Sequence, residues 1–182
     1  MADSTLTKRA LASALKELMT EMPFEKINVS HICEKCNMNR KSFYYHFKDK
    51  YDLVNWIFDI EFISVLNTDI YNDRWEFFIA LADYFYKNRS FYRKALKIKG
   101  QNSFSEHFHE SLYPLLKMRI NALTEVQTSH KFIIDMFADV SVCAFEHWLS
   151  EKDCIPPEEF VSIIKTIIQS GAAIVYQETE KN

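Results

Sequence analysis

Apolar residues recur at helical spacing along most of the chain. In the first segment Leu11, Leu15 and Leu18 fall three or four residues apart, which is the spacing of one buried face of an α-helix. The serine and threonines near the start are able to cap such a helix, and Pro23 disfavours helix in the residue before it. The pattern therefore predicts a first helix from about residue 4 or 5 to residue 21.

The next two apolar patterns are short and are separated by a turn. The stretch "NVSHICEKC" at residues 28–36 predicts a helix of about two turns with Asn28 as its N-cap. Asn37 tolerates the left-handed backbone that a tight turn needs. Asn39 is placed to cap a third helix over about residues 40–48. Two short helices around a tight turn, after a longer supporting helix, predict a helix-turn-helix.

The third helix, "RKSFYYHFK", is unusual in the residues that it leaves outside. At about 100° per residue Phe43 and Phe47 share one face and should plug into the first two helices. The other positions are polar or aromatic: Lys41, Tyr45 and Lys48 point the opposite way, with Ser42, Tyr44 and His46 on the shoulders. Tyrosine hydroxyls and cations hydrogen-bond phosphates and base edges. This face therefore predicts a DNA contact, with packing of one tyrosine on a neighbouring domain as the alternative.

The rest of the chain also predicts helices. Its boundaries fall at about 50–66, 74–88, 90–99, 102–123, 129–151 and 157–178. The chain holds only two glycines and four prolines, and sheet proteins need turn residues more often than that. We expect an all-α protein of about nine helices, with a helix-turn-helix domain at residues 1–50 and a helical regulatory and dimerisation domain at residues 51–182.

Charge is divided unevenly between these two parts. The formal net charge is −3, yet residues 1–50 hold nine Lys/Arg against six Asp/Glu and residues 51–182 hold thirteen against nineteen. A small basic domain attached to a larger acidic one suits a local contact with nucleic acid. Within the acidic part, residues 87–99 carry six cations and no acid. We interpret this stretch as a solvated face, with an anionic effector, a partner protein or DNA as alternatives.

Other candidate chemistry is weak. Cys33 and Cys36 form a Cys-x-x-Cys, but no second pair follows at zinc-finger spacing. Packing is therefore favoured, with a thiol redox or metal module as a remote alternative. We find no phosphate-cradling glycine loop, nucleophile elbow or helical histidine motif, so we expect no enzyme, no cofactor and no metal. Without an apolar run of about 18 residues or a secretory signal, we expect a cytoplasmic protein and no membrane contact.

Residues 23–54, "PFEKINVSHICEKCNMNRKSFYYHFKDKYDLV", resemble the DNA-binding segment of the tetracycline-repressor-like (TetR) family of regulators. The run of aromatics, then His46 and Phe47 with Lys50 three residues later, carries the resemblance. It departs from the family at the turn, where Cys36 and Asn37 stand in place of the usual small residues and glycine.

The resemblance implies which residues meet DNA. Arg40, Lys41 and Ser42 match the start of the recognition helix, and Lys50 matches a lysine that grips a phosphate at the start of the fourth helix. The whole set of implied DNA-binding residues is Ser30, Asn39, Arg40, Lys41, Ser42, Tyr44, Tyr45, His46 and Lys50.

The resemblance further implies a homodimer on a palindromic operator of double-stranded DNA. The resemblance assigns the broad apolar stripes at about residues 129–178 to a four-helix subunit interface, and a fully buried terminal helix in a monomer is the alternative. The stripe of the first helix holds Ile133, Met136, Phe137, Val140 and Ala144, and small residues at 171–173 would allow the helices to approach closely. Control is expected through a small-molecule effector bound by the C-terminal domain. The strings "NRSFY" and "GQNSF" resemble, more weakly, a branch that includes regulators of dihydroxyacetone kinase operons. That branch implies the alternative of an activator controlled by a partner protein, with no internal ligand pocket.

Overall fold

The described part of the chain is built from α-helices, which confirms the predicted fold class. The computed structural model describes residues 2–65, 74–121 and 130–167. Its elements, in chain order, are α1 (Ala2–Glu21), a 3-10 turn (Phe24–Lys26), α2 (Val29–Lys35), α3 (Arg40–His46), α4 (Lys50–Glu61), a second 3-10 turn (Ile63–Val65), α5 (Arg74–Lys87), α6 (Arg89–Ala95), α7 (Phe104–Asn121), α8 (His130–Ser150) and α9, helical over residues 157–167.

Some helix ends differ from those predicted. α1 begins at Ala2, two or three residues before the predicted start at residue 4 or 5. α6 ends at Ala95 and not near residue 99, because Leu96 and Ile98 turn inward and are 0% and 3% exposed. The connection then bends at Gly100, whose φ of 113° is a conformation that side chains disfavour.

The N-terminal helices share one apolar core. Leu11 and Leu15 of α1 and Ile32 of α2 are fully buried, as the spacing predicted. Phe43 of α3 is fully buried against them. Phe47, 3% exposed, lies edge to face with Trp56 of α4 at 5.6 Å between ring centroids. Two aromatic side chains, Phe43 within α3 and Phe47 at its end, therefore pack the inner side of this helix against the core.

α4 also reaches the second, aromatic core. Phe58 of α4 lies within 6.4 Å, centroid to centroid, of rings from α5, α6 and α7. The central rings are no more than 1% exposed: Phe58, Phe85, Tyr92, Phe104, Phe108 and Phe145. These rings therefore form one packed aromatic core between the helices that follow the helix-turn-helix. α4 therefore contacts both cores and joins them.

Two cations of the basic stretch at residues 87–99 hold helix ends and do not form a solvated face. The Arg89 guanidinium donates to the backbone carbonyls of Leu149 (3.1 Å) and Glu151 at the end of α8. Lys94 donates to the Met19 carbonyl at the end of α1. Cations at these positions satisfy carbonyls that a helix leaves unpaired and oppose its negative dipole end. The solvated-face interpretation was therefore wrong for these two residues.

Within the described ranges, no helix is long and apolar enough to cross a membrane.

Candidate nucleic-acid interface

The turn between α2 and α3 is held by the residues that replace the usual small pair and glycine. Asn37 has a φ of 53°, the left-handed conformation predicted for it. The Met38 N–H donates to the Cys33 carbonyl at 2.8 Å, and the Cys36 thiol donates to the Ile32 carbonyl at 3.2 Å. The departure at Cys36 and Asn37 is therefore accommodated, and the tight turn forms.

Cys33 and Cys36 contribute to packing. Cys33 is 2% exposed within the N-terminal core, and burial raises the pKa of both thiols. A raised pKa keeps a thiol protonated and poorly reactive at neutral pH. No group of three His, Cys, Asp or Glu residues in the described part of the chain is arranged to hold a metal ion. The burial of Cys33 and the raised pKa values of both thiols thus favour packing over the thiol redox alternative.

Side-chain caps fix the start of each helix in this region. The Asn28 amide oxygen accepts from the His31 N–H at 2.9 Å, and the Asn28 N–H in turn faces the His31 ring nitrogen at 3.4 Å. The Asn39 amide oxygen accepts from the Ser42 N–H at 2.8 Å. Both caps were predicted. The cap engages one lone pair of the Asn39 amide oxygen, and the amide N–H groups can still donate to a ligand.

The cap of α4 was missed. The Asp49 carboxylate accepts from the N–H groups of Tyr51 at 2.8 Å and Asp52 at 2.9 Å. The Asp52 carboxylate accepts from the Lys48 N–H at 2.9 Å. The sequence signal was available, because Asp is one of the preferred N-cap residues.

The outer face of α3 presents large polar aromatics to solvent. Tyr45 is 82% exposed and Tyr44 is 51% exposed. The Tyr45 ring meets the half-buried His46 ring edge to face at 4.8 Å. The Arg40 guanidinium lies over the Tyr44 ring, 5.9 Å from its centroid, and Lys41 is exposed beside it. This face resembles a nucleic-acid contact surface, in which cations and tyrosines meet phosphates and bases.

An open cleft of about 540 Å³ adjoins this face. It is lined by the start of α2, the start of α3 and the start of α4, with Ser30, Arg40, Tyr44 and Lys50 among the lining residues. The half-buried Ser30 and the exposed Arg40 are predicted DNA-binding residues that the fold brings together here. Glu25, Asn28, Asp49 and Tyr51 also line the cleft and were not predicted.

Lys50 occupies an inner position on this cleft. Its ammonium donates to the backbone carbonyls of Phe24 and Ile27, both at 2.7 Å, and faces the Glu25 carbonyl at 3.4 Å. It also lies over the Phe24 ring, 4.3 Å from the centroid. Burial lowers the pKa of the Lys50 ammonium. The predicted phosphate ligand is therefore engaged with the protein's own backbone.

Comparison with known proteins finds transcriptional regulators that are similar to this chain. The dhaKLM operon transcriptional activator DhaS of Lactococcus lactis subsp. lactis is 33% identical over 110 residues, which is 59% of this chain and 57% of that protein. The match thus spans little more than half of that relative.

Solved structures that share the fold include two regulators. One is the dihydroxyacetone kinase operon activator DhaS, with a TM-score of 0.68, 23% identity and coverage of 93% of this chain and 98% of that one. The other is a TetR transcriptional regulator from Streptococcus agalactiae 2603V, with a TM-score of 0.72, 19% identity and coverage of 92% and 96%. At these identities the likeness establishes the architecture.

Two family models together match most of the chain. The model described as bacterial regulatory proteins of the tetR family matches residues 11–57, which contain the helix-turn-helix. The model described as a transcriptional regulator C-terminal region matches residues 73–170, more than half of the chain. These matches agree with the resemblance seen in residues 23–54, and the chain therefore belongs to the TetR family of bacterial transcriptional regulators.

Proposed function

We propose that this protein is a sequence-specific DNA-binding regulator whose α3 lies in the major groove. The observation that carries the proposal is the contrast between the two faces of α3. Phe43 is fully buried, whereas Tyr45 on the opposite face is 82% exposed. An exposed tyrosine offers a hydroxyl and ring surface to phosphates and bases, and on this helix it stands beside Arg40 and Lys41.

We assign roles in this contact by position. Arg40 and Lys41, exposed at the start of α3, supply donors for base edges or phosphates. Tyr44 and Tyr45 supply hydroxyls and ring surface. The flanking positions, Ser30, Asn39, Ser42 and His46, are exposed or half-buried around the same surface and support the contact at its edges. In this proposal residues 1–50 read DNA, and residues 51–182 regulate and dimerise.

We further propose that the protein acts as a homodimer. An exposed apolar stripe runs along α8 at four-residue spacing, with Phe132, Met136 and Val140 at 73%, 43% and 58% exposure. On α9, Ile163 and Ile167 are 46% and 65% exposed. An apolar surface of this kind on two neighbouring helices favours an isologous interface, and a two-fold dimer matches a palindromic operator.

Not every residue predicted for that interface supports it. Ile133, Phe137 and Ala144 were predicted on the dimer face, but they are half-buried and pack partly against the protein's own core. Phe132, which the pattern did not single out, is the most exposed of the stripe. The predicted close-packing segment at residues 171–173, and the apolar positions after it, lie outside the described residues.

Control by a small molecule bound in the C-terminal domain is the first hypothesis that the family suggests. The alternative is control by a partner protein, and one observation favours it. The aromatic rings at the centre of the described helices touch one another, with centroid separations of 5.0 to 5.9 Å between Phe58, Phe85, Phe108 and Phe145. A centre filled in this way offers a ligand little space among those rings.

The DNA-binding proposal is tested by fluorescence anisotropy of a labelled duplex from the gene's own upstream region, against a scrambled duplex at physiological salt. We expect a preference of about a thousandfold or more for the native duplex. Equal, weak binding to both duplexes and to further upstream fragments would contradict sequence-specific recognition. A protein with this role works beside the chromosome, so we propose a cytoplasmic location.

The two modes of control are separated by fractionating a lysate of the native cells. An ultrafiltrate holding only small molecules should change operator affinity if an effector is bound. If a partner protein is needed, the ultrafiltrate should have no effect and the retained protein fraction should change the affinity. The name of the DhaS relative makes activation the specific outcome to look for in a reporter assay.

A further inference from the structure

The ammonium of Lys50 closes a contact between two distant parts of the chain. It lies 2.7 Å from the carbonyl oxygens of Phe24 and Ile27 and 3.4 Å from that of Glu25. A lysine ammonium has three N–H donors and no acceptor. Three converging carbonyls therefore occupy its donors, and none is left to point outward at a phosphate.

The two parts joined in this way are the two ends of the helix-turn-helix. Ile27 is followed at once by Asn28, the N-cap of α2, and Lys50 is the first residue of α4. The intervening residues 28–49 contain α2, the turn and α3. Aromatic packing supports the same contact, since the Phe24 and Tyr51 rings meet edge to face at 5.1 Å.

Among the described residues that line this cleft, the other cation is Arg40. Its side chain is exposed and contacts Tyr44, both over the ring at 5.9 Å from the centroid and through a side-chain hydrogen bond that raises the pKa of the Arg40 guanidinium. A guanidinium presents several donors in a planar fork that matches phosphate oxygens. The cleft therefore holds one cation turned inward to the backbone and one turned outward.

We propose that Lys50 is a positioning residue: it locks the two ends of the helix-turn-helix together and so sets the orientation of α2 and α3, and it does not bind DNA phosphate itself. This inference rests on the proposed DNA-binding function. It departs from the role that the family resemblance implies for Lys50.

The sharpest test is Lys50→Arg, which keeps the charge. Arginine binds phosphate at least as well as lysine, so a phosphate ligand would tolerate this change or gain affinity. A planar guanidinium cannot converge on three carbonyls that fit an ammonium, so a positioning role predicts that specific affinity falls roughly tenfold or more. Unchanged or tighter operator binding by Lys50→Arg would overturn the proposal.

A second variant, Lys50→Met, keeps most of the side-chain stem and removes the donors. We expect a lower melting temperature without DNA, and a smaller ratio of operator to scrambled-duplex affinity at a low temperature where circular dichroism shows the variant folded. The slope of log Kd against log salt should stay at the wild-type value. If Lys50 only stabilised the fold, the folded variant would show wild-type specificity at that temperature. Wild-type specificity of the folded variant would therefore also overturn the proposal.

Arg40→Met is the matched control because it removes the outward cation of the same cleft. It should leave the melting temperature unchanged and reduce the salt slope by about two for a dimer, one counterion for each lost phosphate contact. If Lys50→Met shows that same pattern, Lys50 is the phosphate ligand. If the wild type binds no specific duplex, the melting temperatures still test the contact with the backbone, and the DNA-binding proposal is the one that fails.

Discussion

Tyr45→Ala is the most direct perturbation of the proposed interface, because the side chain does so little for the free protein. Tyr45 is 82% exposed, and its described ring contact is with His46, at 4.8 Å between centroids. Surface substitutions away from caps and networks usually change the free energy of unfolding by less than about 0.5 kcal/mol. We therefore expect the variant to melt within a degree or two of the wild type.

The expected loss in DNA affinity follows from what the side chain can contribute. One hydrogen bond from the phenol to a charged phosphate, with ring contact on a base or sugar, is worth about 1–2 kcal/mol per subunit after desolvation. A dimer removes two such contacts, so the loss is roughly 2–4 kcal/mol. This corresponds to a Kd about 30- to 1,000-fold weaker.

Anisotropy titrations with the operator and the scrambled duplex measure this loss. Tyr45→Phe is the control that keeps the ring and removes the hydroxyl, so it divides the effect between the two. A similar loss on both duplexes would assign Tyr45 to the phosphate backbone, and a loss on the operator alone would assign it to base contacts. An unchanged operator Kd in a folded Tyr45→Ala dimer would refute the reasoning that the exposed face of α3 meets DNA.

Three further outcomes are expected. Phe43→Ala should lower the free energy of unfolding by about 3–5 kcal/mol in chemical denaturation, because it empties a fully buried ring site; a loss below about 1 kcal/mol would contradict the packing. Val140→Glu should halve the sedimenting mass, since it places a charge in the proposed interface; an unchanged dimer would exclude that face. Burial raises the pKa of Tyr92 and of Tyr84, its hydrogen-bond partner. Because the unfolded chain then loses these protons first, the stability contribution is fully present below about pH 10 and decreases above it. Tyr92→Phe should flatten that alkaline decrease in denaturation curves, and an unchanged pH profile would count against the coupling.

Local patterns in the sequence were enough to predict the fold class and the helix-turn-helix. Asn28 and Asn39 cap α2 and α3 as predicted, because a cap depends on residues only three positions apart. Asn37 takes the left-handed backbone for a similarly local reason. The burial of Phe43 and Phe47 follows from helical periodicity alone. The TetR resemblance, carried by residues 23–54, is confirmed by the family matches, while the DNA contacts of individual residues stay predictions.

Features that join distant segments required the tertiary structure. The residue pattern placed Lys50 at the start of α4. It could not show that the Lys50 ammonium contacts the carbonyls of Phe24 and Ile27, which lie 26 and 23 positions earlier in the sequence. In the same way, the spacing along α8 showed which positions are apolar. It did not show which of them face the core and which, such as Phe132, face solvent. Helical periodicity fixes the angle between side chains on one helix. The neighbour that each side chain meets depends on how the helices pack, and packing is set by many weak contacts across the whole chain.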